Sequence, residues 1–255
     1  MKFARDTWLV FQRQGLLTLR APRWLLAFSL AQPVTYLVLF APMLRLALRH
    51  EGITSYAGAY RVYVPGLLTV MAILGGLYSG FGLLADMRSG VVERARVTPV
   101  SRPALILGRA LQEVATLLVQ ALIITLLALP FGLRIPLGNL LLAYLLLTLM
   151  SVMAVSLGYA LTMYVRNEAA LGPTINTVSQ PVMLLSGVLL PLTLAPLWIL
   201  SVARWNPFYW ATNGMRALFN GLIGANSVWI SLIIVVTLAV FAVNWSVRLF
   251  ARRTA

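Results

Sequence analysis

Long runs of apolar residues recur along the chain, and short polar segments separate them. Six of these runs reach about the ~20 residues that a helix needs to cross ~30 Å of hydrocarbon. They occupy residues 24–44, 62–85, 105–131, 137–165, 169–190 and 228–249. A helix satisfies its own backbone polar groups in lipid. The pattern therefore predicts a single all-α membrane domain with six transmembrane helices.

Two further segments are polar enough to differ from these spans. Residues 1–23 alternate apolar side chains, such as Trp8 and Leu16, with arginines, which predicts an amphipathic helix at the membrane interface. Because this segment lacks the apolar core and cleavage site of a signal peptide, we expect it to stay on the protein. Residues 191–224 contain only a short apolar stretch followed by polar residues at helical spacing. We expect re-entrant or extracytoplasmic helices there.

Small residues four apart mark two of the predicted spans. Gly76 and Gly80 lie in the second span, and Ala154 and Gly158 lie in the fourth. Small residues at this spacing allow helix backbones to approach closely in a membrane. We therefore expect both pairs at helix contacts.

The charges support a membrane topology. Charged residues make up 10% of the chain, against ~25% in soluble domains, and the mean hydropathy is +0.88. The net charge of +14 would suggest nucleic-acid binding in a soluble protein, but here the basic residues lie between apolar runs. With both termini inside, 14 of the 20 Lys and Arg residues face the cytoplasm. This agrees with the positive-inside rule and predicts contacts with lipid headgroups, not nucleic acid.

Several kinds of chemistry are not supported. The chain has no Cys and one His, which argues against disulfides and metal sites. Its single lysine, Lys2, cannot form the GxxxxGK motif of an ATP site, so we expect neither an enzyme nor a cofactor. Glu113 is the one acid expected within a span, and Arg109 precedes it by one turn. This scarcity weighs against an ion-coupled carrier or channel.

Polar residues at one-turn spacing also occur within two spans: Gln112, Thr116 and Gln120 in the third, and Asn176 and Gln180 in the fifth. Together with Glu113 they are candidates for a substrate pathway. The alternative is interhelical hydrogen bonding, which we favour over direct substrate contact.

The loop at 86–104 is polar and predicted to be cytosolic. Thr98-Pro99 and Ser101-Arg-Pro103 have the hydroxyl caps and early prolines of helix starts. They predict a short cytosolic helix followed by a capped span. The alternative is a solvated basic loop held by lipid headgroups.

With this loop, a set of short motifs resembles the permease subunits of type-2 ATP-binding-cassette exporters, especially the daunorubicin-resistance-like drug-export branch. The motifs are the amphipathic start, Gln32-Pro33, Tyr63-Val-Pro-Gly66, Glu93-Arg94 through Thr98-Pro-Val-Ser-Arg102, Leu185-Ser-Gly187 with Pro191, and Asn206-Pro207 running into Met215-Arg216. Asp86 and Ala95 depart from this pattern, because Glu and Leu are common there.

The resemblance implies a homodimer in the bacterial inner membrane, bound to separate cytosolic ATPase subunits that carry ATP and Mg²⁺. It implies ATPase coupling for Asp86, Arg88, Glu93, Arg94, Arg96, Thr98, Pro99, Val100, Ser101 and Arg102. We further expect an outer gate formed by Asn206, Pro207, Asn213, Arg216 and Asn220.

The expected function is export of a hydrophobic or amphipathic substrate, such as a drug or antibiotic. Export of a lipid or a lipid-linked glycan by the same machinery is an alternative. A carrier or channel working without an ATPase, and a membrane scaffold without a pathway, are the alternatives from other classes.

Overall fold

The computed structural model describes residues 2–20, 30–40, 43, 55–90, 102–188, 192 and 195–253. These residues form helices and short connections and contain no β-strand, which confirms the all-α prediction. In chain order, the α-helices among them are α1 Lys2–Arg20, α2 Leu30–Phe40, α3 Tyr56–Arg88, α4 Arg102–Ala128, α5 Leu137–Val165, α6 Glu168–Leu185, α7 Leu197–Ala203, α8 Pro207–Phe219 and α9 Asn226–Arg253. A 3₁₀ turn, Leu129–Phe131, extends α4.

Four segments in the described part of the chain are long and apolar enough to cross a membrane: Tyr56–Arg88, Pro103–Phe131, Leu137–Val165 and Asn226–Phe250. They correspond to the second, third, fourth and sixth predicted spans. The first predicted span is described mainly over the shorter helix α2. The fifth predicted span corresponds to α6, which has 18 residues and contains Pro173 and Pro181. The count of six therefore stays a prediction.

Helices α3 and α5 contact each other through glycine, as the spacing of small residues predicted. A Cβ atom added at Gly158 would lie 2.5 Å from the carbonyl oxygen of Gly76 and 2.8 Å from that of Leu77. A Cβ atom at Gly76 would collide with Ala154, and one at Gly80 would lie 2.9 Å from the Gly158 carbonyl oxygen. The predicted close approach is confirmed, because the two backbones touch where side chains are missing.

Helix α3 is longer at both ends than the apolar run that predicted it. At its start the Ser55 hydroxyl accepts a hydrogen bond from the Gly58 amide at 3.1 Å, which is an N-cap. The cap places Arg61 within the helix, although it lies outside the predicted span of residues 62–85. At the other end the helix continues through Asp86 to Arg88. Hydrophobicity alone missed the first turns because Arg61 interrupts the apolar pattern, and it missed the last turn because Asp86 and Arg88 make that turn polar.

Helix α1 packs along the first half of α4. Gly108 makes this possible, because a Cβ atom there would lie 2.6 Å from the Thr7 carbonyl oxygen and 2.7 Å from the Val10 Cβ atom. The opposite side of α1 keeps large apolar side chains exposed, namely Trp8, Leu9, Leu16, Leu17 and Leu19. An exposed apolar face on a helix with arginines is typical of the membrane interface.

Two short helices, α7 and α8, follow α6 in the region where the sequence predicted re-entrant or extracytoplasmic helices. Trp198 on α7 and Trp205 after it are 70% and 90% exposed. Helix α8 packs on α9, where a Cβ atom at Gly214 would lie 2.5 Å from the Ser231 hydroxyl oxygen. The segment is thus anchored to the helix bundle through α8, while α7 presents indole rings of the kind enriched at membrane interfaces.

Candidate functional site

An acid–arginine cluster, formed by Gln14, Asp86, Arg109 and Glu113, joins α1, α3 and α4. The Arg109 guanidinium forms an ion pair with Asp86, and the Gln14 side-chain amide donates a hydrogen bond to the same carboxylate at 3.2 Å. A second Arg109 nitrogen lies 4.0 Å from the Glu113 carboxylate. Only 11% of the Arg109 side chain is exposed. Gly82 leaves room for it, because a Cβ atom there would collide with the guanidinium.

The position of this cluster ties together the two helices that flank the predicted coupling loop. Asp86 lies in the last turn of α3, and Arg109 lies two turns into α4. Ion pairs shielded from water are held more strongly than exposed ones. The ends of α3 and α4 should therefore move as a unit.

Helix α1 is attached to the same place by a second polar contact. The Gln112 side-chain amide donates to the Thr18 hydroxyl at 2.8 Å, one turn along from the contact between Gln14 and Asp86. Sequence analysis did not identify Gln14 and Thr18 as site residues. Their signal was the one-turn spacing of two polar residues on α1.

Arg88 forms a separate ion pair with Glu168 at the start of α6, at 2.5 Å. Their side chains are 52% and 61% exposed. Exposed pairs of this kind contribute between 0 and ~1 kcal/mol, so this contact orients α6 more than it stabilises the fold.

Most of the predicted coupling loop lies outside the described residues. This holds for Glu93, Arg94, Arg96, Thr98, Pro99, Val100 and Ser101. Asp86, Arg88 and Arg102 belong to helices. The structure therefore describes the two ends of the loop and leaves its predicted ATPase contacts as a prediction.

The polar residues of the spans divide between helix contacts and a cavity. Gln112 donates to Thr116 as well as to Thr18, and Asn176 accepts a hydrogen bond from the Tyr78 hydroxyl at 2.8 Å. The contacts with Thr18 and Tyr78 join two helices each, whereas the contact with Thr116 lies within α4. Gln180 is exposed on α6.

Glu113, Thr116 and Gln120 instead line a cavity of about 270 Å³ between α2, α3 and α4. Gln32 and Tyr36 of α2 face them across this space. The remaining wall is apolar. Among the described residues, no group of three or more His, Cys, Asp or Glu side chains could hold a metal ion.

A second polar centre, the arginine junction, consists of Val62, Gly66, Gly187, Val188, Asn206 and Arg216. Arg216 of α8 donates to the carbonyl oxygen of Gly187 at 2.6 Å, and to those of Val188 and Val62 at 3.4 Å. Burial lowers the pKa of Arg216 to about 10. The guanidinium therefore stays charged at neutral pH, and backbone carbonyls take the place of water around it.

Asn206 joins the end of α6 to the start of α8 in the same junction. Its side-chain oxygen accepts from the Phe208 amide at 3.0 Å, and its side-chain amide donates to the Val182 carbonyl at 2.7 Å. Pro207 then occupies the first helical position, which suits a residue without an amide hydrogen. A carbonyl in the last turn of α6 is thereby satisfied.

Three of the scattered motifs meet at this junction. Gly66 lies so close to the Val188 carbonyl oxygen that an added Cβ atom would collide with it. Together with the hydrogen bonds of Arg216, this contact joins the motifs at 63–66, 185–187 and 206–216. Of the other predicted gate residues, Asn213 is partly buried. Asn220 is exposed, and its side-chain amide donates to the Arg216 carbonyl at 2.9 Å. It is therefore the C-cap of α8.

Known proteins are similar to most of this chain. The sequence matches the ABC-2 type transporter family over residues 5–220. A putative transport permease, ycf38, of Porphyra purpurea is 29% identical over 217 residues, which cover 82% of this chain and 72% of the relative. The daunorubicin resistance ABC transporter permease protein DrrB1 of Streptomyces coeruleorubidus is 25% identical over 195 residues, which cover 76% and 69%. Because the family match runs from α1 to the end of α8, the chain belongs to the ABC-2 type transporter family and is a multi-pass membrane protein.

Proposed function

We propose that this chain is the membrane-spanning permease of an ATP-driven exporter that moves a hydrophobic or amphipathic, drug-like substrate out of the cytoplasm. The family match over residues 5–220 carries the proposal. The similarity to a permease named for daunorubicin resistance supports the drug-like class of substrate.

In this proposal the energy comes from another protein. A P-loop needs a lysine to reach the β- and γ-phosphates, and this chain has only Lys2. ATP and Mg²⁺ would bind to separate cytosolic ATPase subunits. Two copies of the chain, each with six spans and both termini in the cytoplasm, would form the complex in a bacterial inner membrane.

Helix α3 supplies a mechanical route for the coupling. Its 33 residues span about 50 Å at 1.5 Å per residue. Asp86 of the acid–arginine cluster and Gly66 of the arginine junction lie on this one helix, about 30 Å apart by the same rise. An ATPase that moves the loop at 86–104 would shift α3 and α4 together, because Asp86 and Arg109 join them. The shift would reach the junction where α6 meets α8, the proposed outer gate.

Co-purification and transport test this proposal together. The chain, purified in mild detergent, should retain an ATP-binding-cassette ATPase encoded beside it. In proteoliposomes, charge reversal at Glu93 and Arg94 should leave ATP hydrolysis in place but abolish its stimulation by substrate, because the coupling contact is lost. Charge reversal at Arg252, an exposed basic residue of the tail, is the control. Undiminished transport by the Glu93 and Arg94 variants would contradict the coupling role.

A further inference from the structure

We propose that the cavity between α2, α3 and α4 binds an organic cation and that Glu113 is its counter-ion. The inference rests on the proposed export function, since it names the charge class of the substrate. Four observations carry it: the balance of charge, the polar groups, the apolar wall and the depth of the cavity.

The balance of charge around the cavity is negative. The one described arginine near Glu113 is Arg109, and it is shared with Asp86. Its closer contact is with Asp86, while 4.0 Å separates it from the Glu113 carboxylate. Arg13 lies with Asp86 and Arg109 around a neighbouring cavity and adds a second positive charge there. The negative charge is therefore local, because Glu113 is the one charged side chain among the described residues that line the proposed site. Glu113 faces the cavity and Arg109 does not line it, so a ligand meets the negative side of the cluster.

The polar groups of the cavity can accept hydrogen bonds from a bound cation. The Gln32 amide group donates to the Tyr36 hydroxyl at 3.3 Å, which leaves the amide oxygen as an acceptor. The Thr116 hydroxyl donates to the Gln112 carbonyl oxygen at 3.1 Å and accepts from the Gln112 side-chain amide at 3.0 Å, which leaves its oxygen one lone pair for a ligand. Ammonium hydrogens seek such acceptors.

The rest of the wall suits an apolar body attached to the charge. It consists of Pro33, Leu67, Val70, Met71, Leu74 and Leu117. The Tyr36 side chain also lines the cavity, and aromatic rings attract ammonium groups at close range. An inorganic ion would gain nothing from this apolar wall. A volume of about 270 Å³ admits a cationic head with one or two rings.

Glu113 lies so deep in a membrane span that a purely structural role would carry a high energetic cost. It stands 11 residues after the start of α4, about 16 Å along the helix at 1.5 Å per residue. Acids within membrane spans are costly and mark substrate or ion pathways. Gln32 at the cavity wall is exposed on α2, so a ligand can enter from that side.

Binding to the full-length chain tests this inference without an ATPase. The chain is placed in phosphatidylcholine nanodiscs at pH 8.5. The probe is the fluorescent cation 4-(4-dimethylaminostyryl)-N-methylpyridinium, and the uncharged 4-(4-dimethylaminostyryl)pyridine is its matched analogue. Empty nanodiscs give the background. We expect saturable binding of the cation and at least tenfold weaker binding of the neutral analogue, because the carboxylate contributes only to the charged ligand.

Three variants locate the site. Glu113→Gln should weaken cation binding tenfold or more and bring the two probes close together, and Glu113→Asp should retain part of the difference. Leu74→Trp should fill the cavity and weaken the binding of both probes without changing any charge. Glu168→Gln is the control, because it removes one negative charge from an exposed acid outside the cavity.

The outcomes separate this inference from the export function. Two results would overturn the cation site even if ATP-driven export is observed. One is equal binding of the cation and the neutral analogue. The other is cation binding that is as strong in Glu113→Gln as in the control Glu168→Gln. Charge-selective binding that is lost in Glu113→Gln would support the site even if no ATPase partner is found.

Discussion

The glycine contact between α3 and α5 gives the sharpest prediction about stability. The perturbation is Gly158→Ala, which adds one methyl group. Its carbon would lie 2.5 Å from the Gly76 carbonyl oxygen, 2.8 Å from that of Leu77 and 2.9 Å from the Leu77 Cα atom. Close carbon–oxygen contacts are normally about 3.3–3.6 Å, so the helices must separate by about 0.8 Å.

The expected cost follows from what the methyl group meets. Extra carbon atoms forced into a packed core typically cost about 1–3 kcal/mol. All three neighbours are backbone atoms, which cannot rotate away, so the upper half of that range applies. Alanine returns at most about 1 kcal/mol through its better helix propensity. We therefore expect the free energy of unfolding to fall by about 2 kcal/mol.

Gly138→Ala is the matched control, because it makes the same change in the same helix. No described atom lies within 4 Å of a Cβ atom at Gly138, so its effect should lie between zero and a gain of about 1 kcal/mol. Unfolding by SDS in mixed micelles, followed by tryptophan fluorescence, measures both variants. A difference below about 0.5 kcal/mol between them would refute the close packing of α3 on α5.

Two further predictions concern the polar centres. In a double-mutant cycle with Asp86→Asn and Arg109→Gln, the coupling energy for unfolding should be about 1–3 kcal/mol because the ion pair is shielded from water. By contrast, Arg88→Ala should change the free energy of unfolding by less than about 0.5 kcal/mol because its ion pair is exposed. At the junction, Arg216→Met should cost about 1–3 kcal/mol by leaving buried carbonyls unsatisfied, and Arg216→Lys should cost less. Equal effects of the two Arg216 variants would show that shape, not hydrogen bonding, fixes α8.

The architecture could be predicted as far as it follows from local patterns. Apolar runs of sufficient length predicted the four described helices that can cross a membrane. The spacing of Gly76 from Gly80 and of Ala154 from Gly158 indicated where helices approach closely, because a missing side chain is visible in a sequence. The ends of α3 could not be placed in this way. Its first turns precede Arg61 and depend on the cap at Ser55, and its last turn is polar.

The polar centres show what a single sequence does not contain. Gln112 and Arg216 could be noticed as unusual residues in their segments, but their partners are distant in sequence. Gln112 bonds to Thr18 across 94 positions, and Arg216 reaches Val62 across 154. Such contacts depend on how the helices pack, which no local spacing encodes. The resemblance motifs gave an indirect signal, because three of them meet at the arginine junction.

In the proposed function this chain moves a substrate only when a separate ATPase drives it. The most direct measurement is uptake of daunorubicin into inside-out proteoliposomes that contain the chain with or without its ATP-binding-cassette partner. We expect uptake that requires ATP, Mg²⁺ and both proteins, and that stops with a partner unable to hydrolyse ATP. Uptake by the chain alone, driven by an ion gradient and indifferent to ATP, would contradict it.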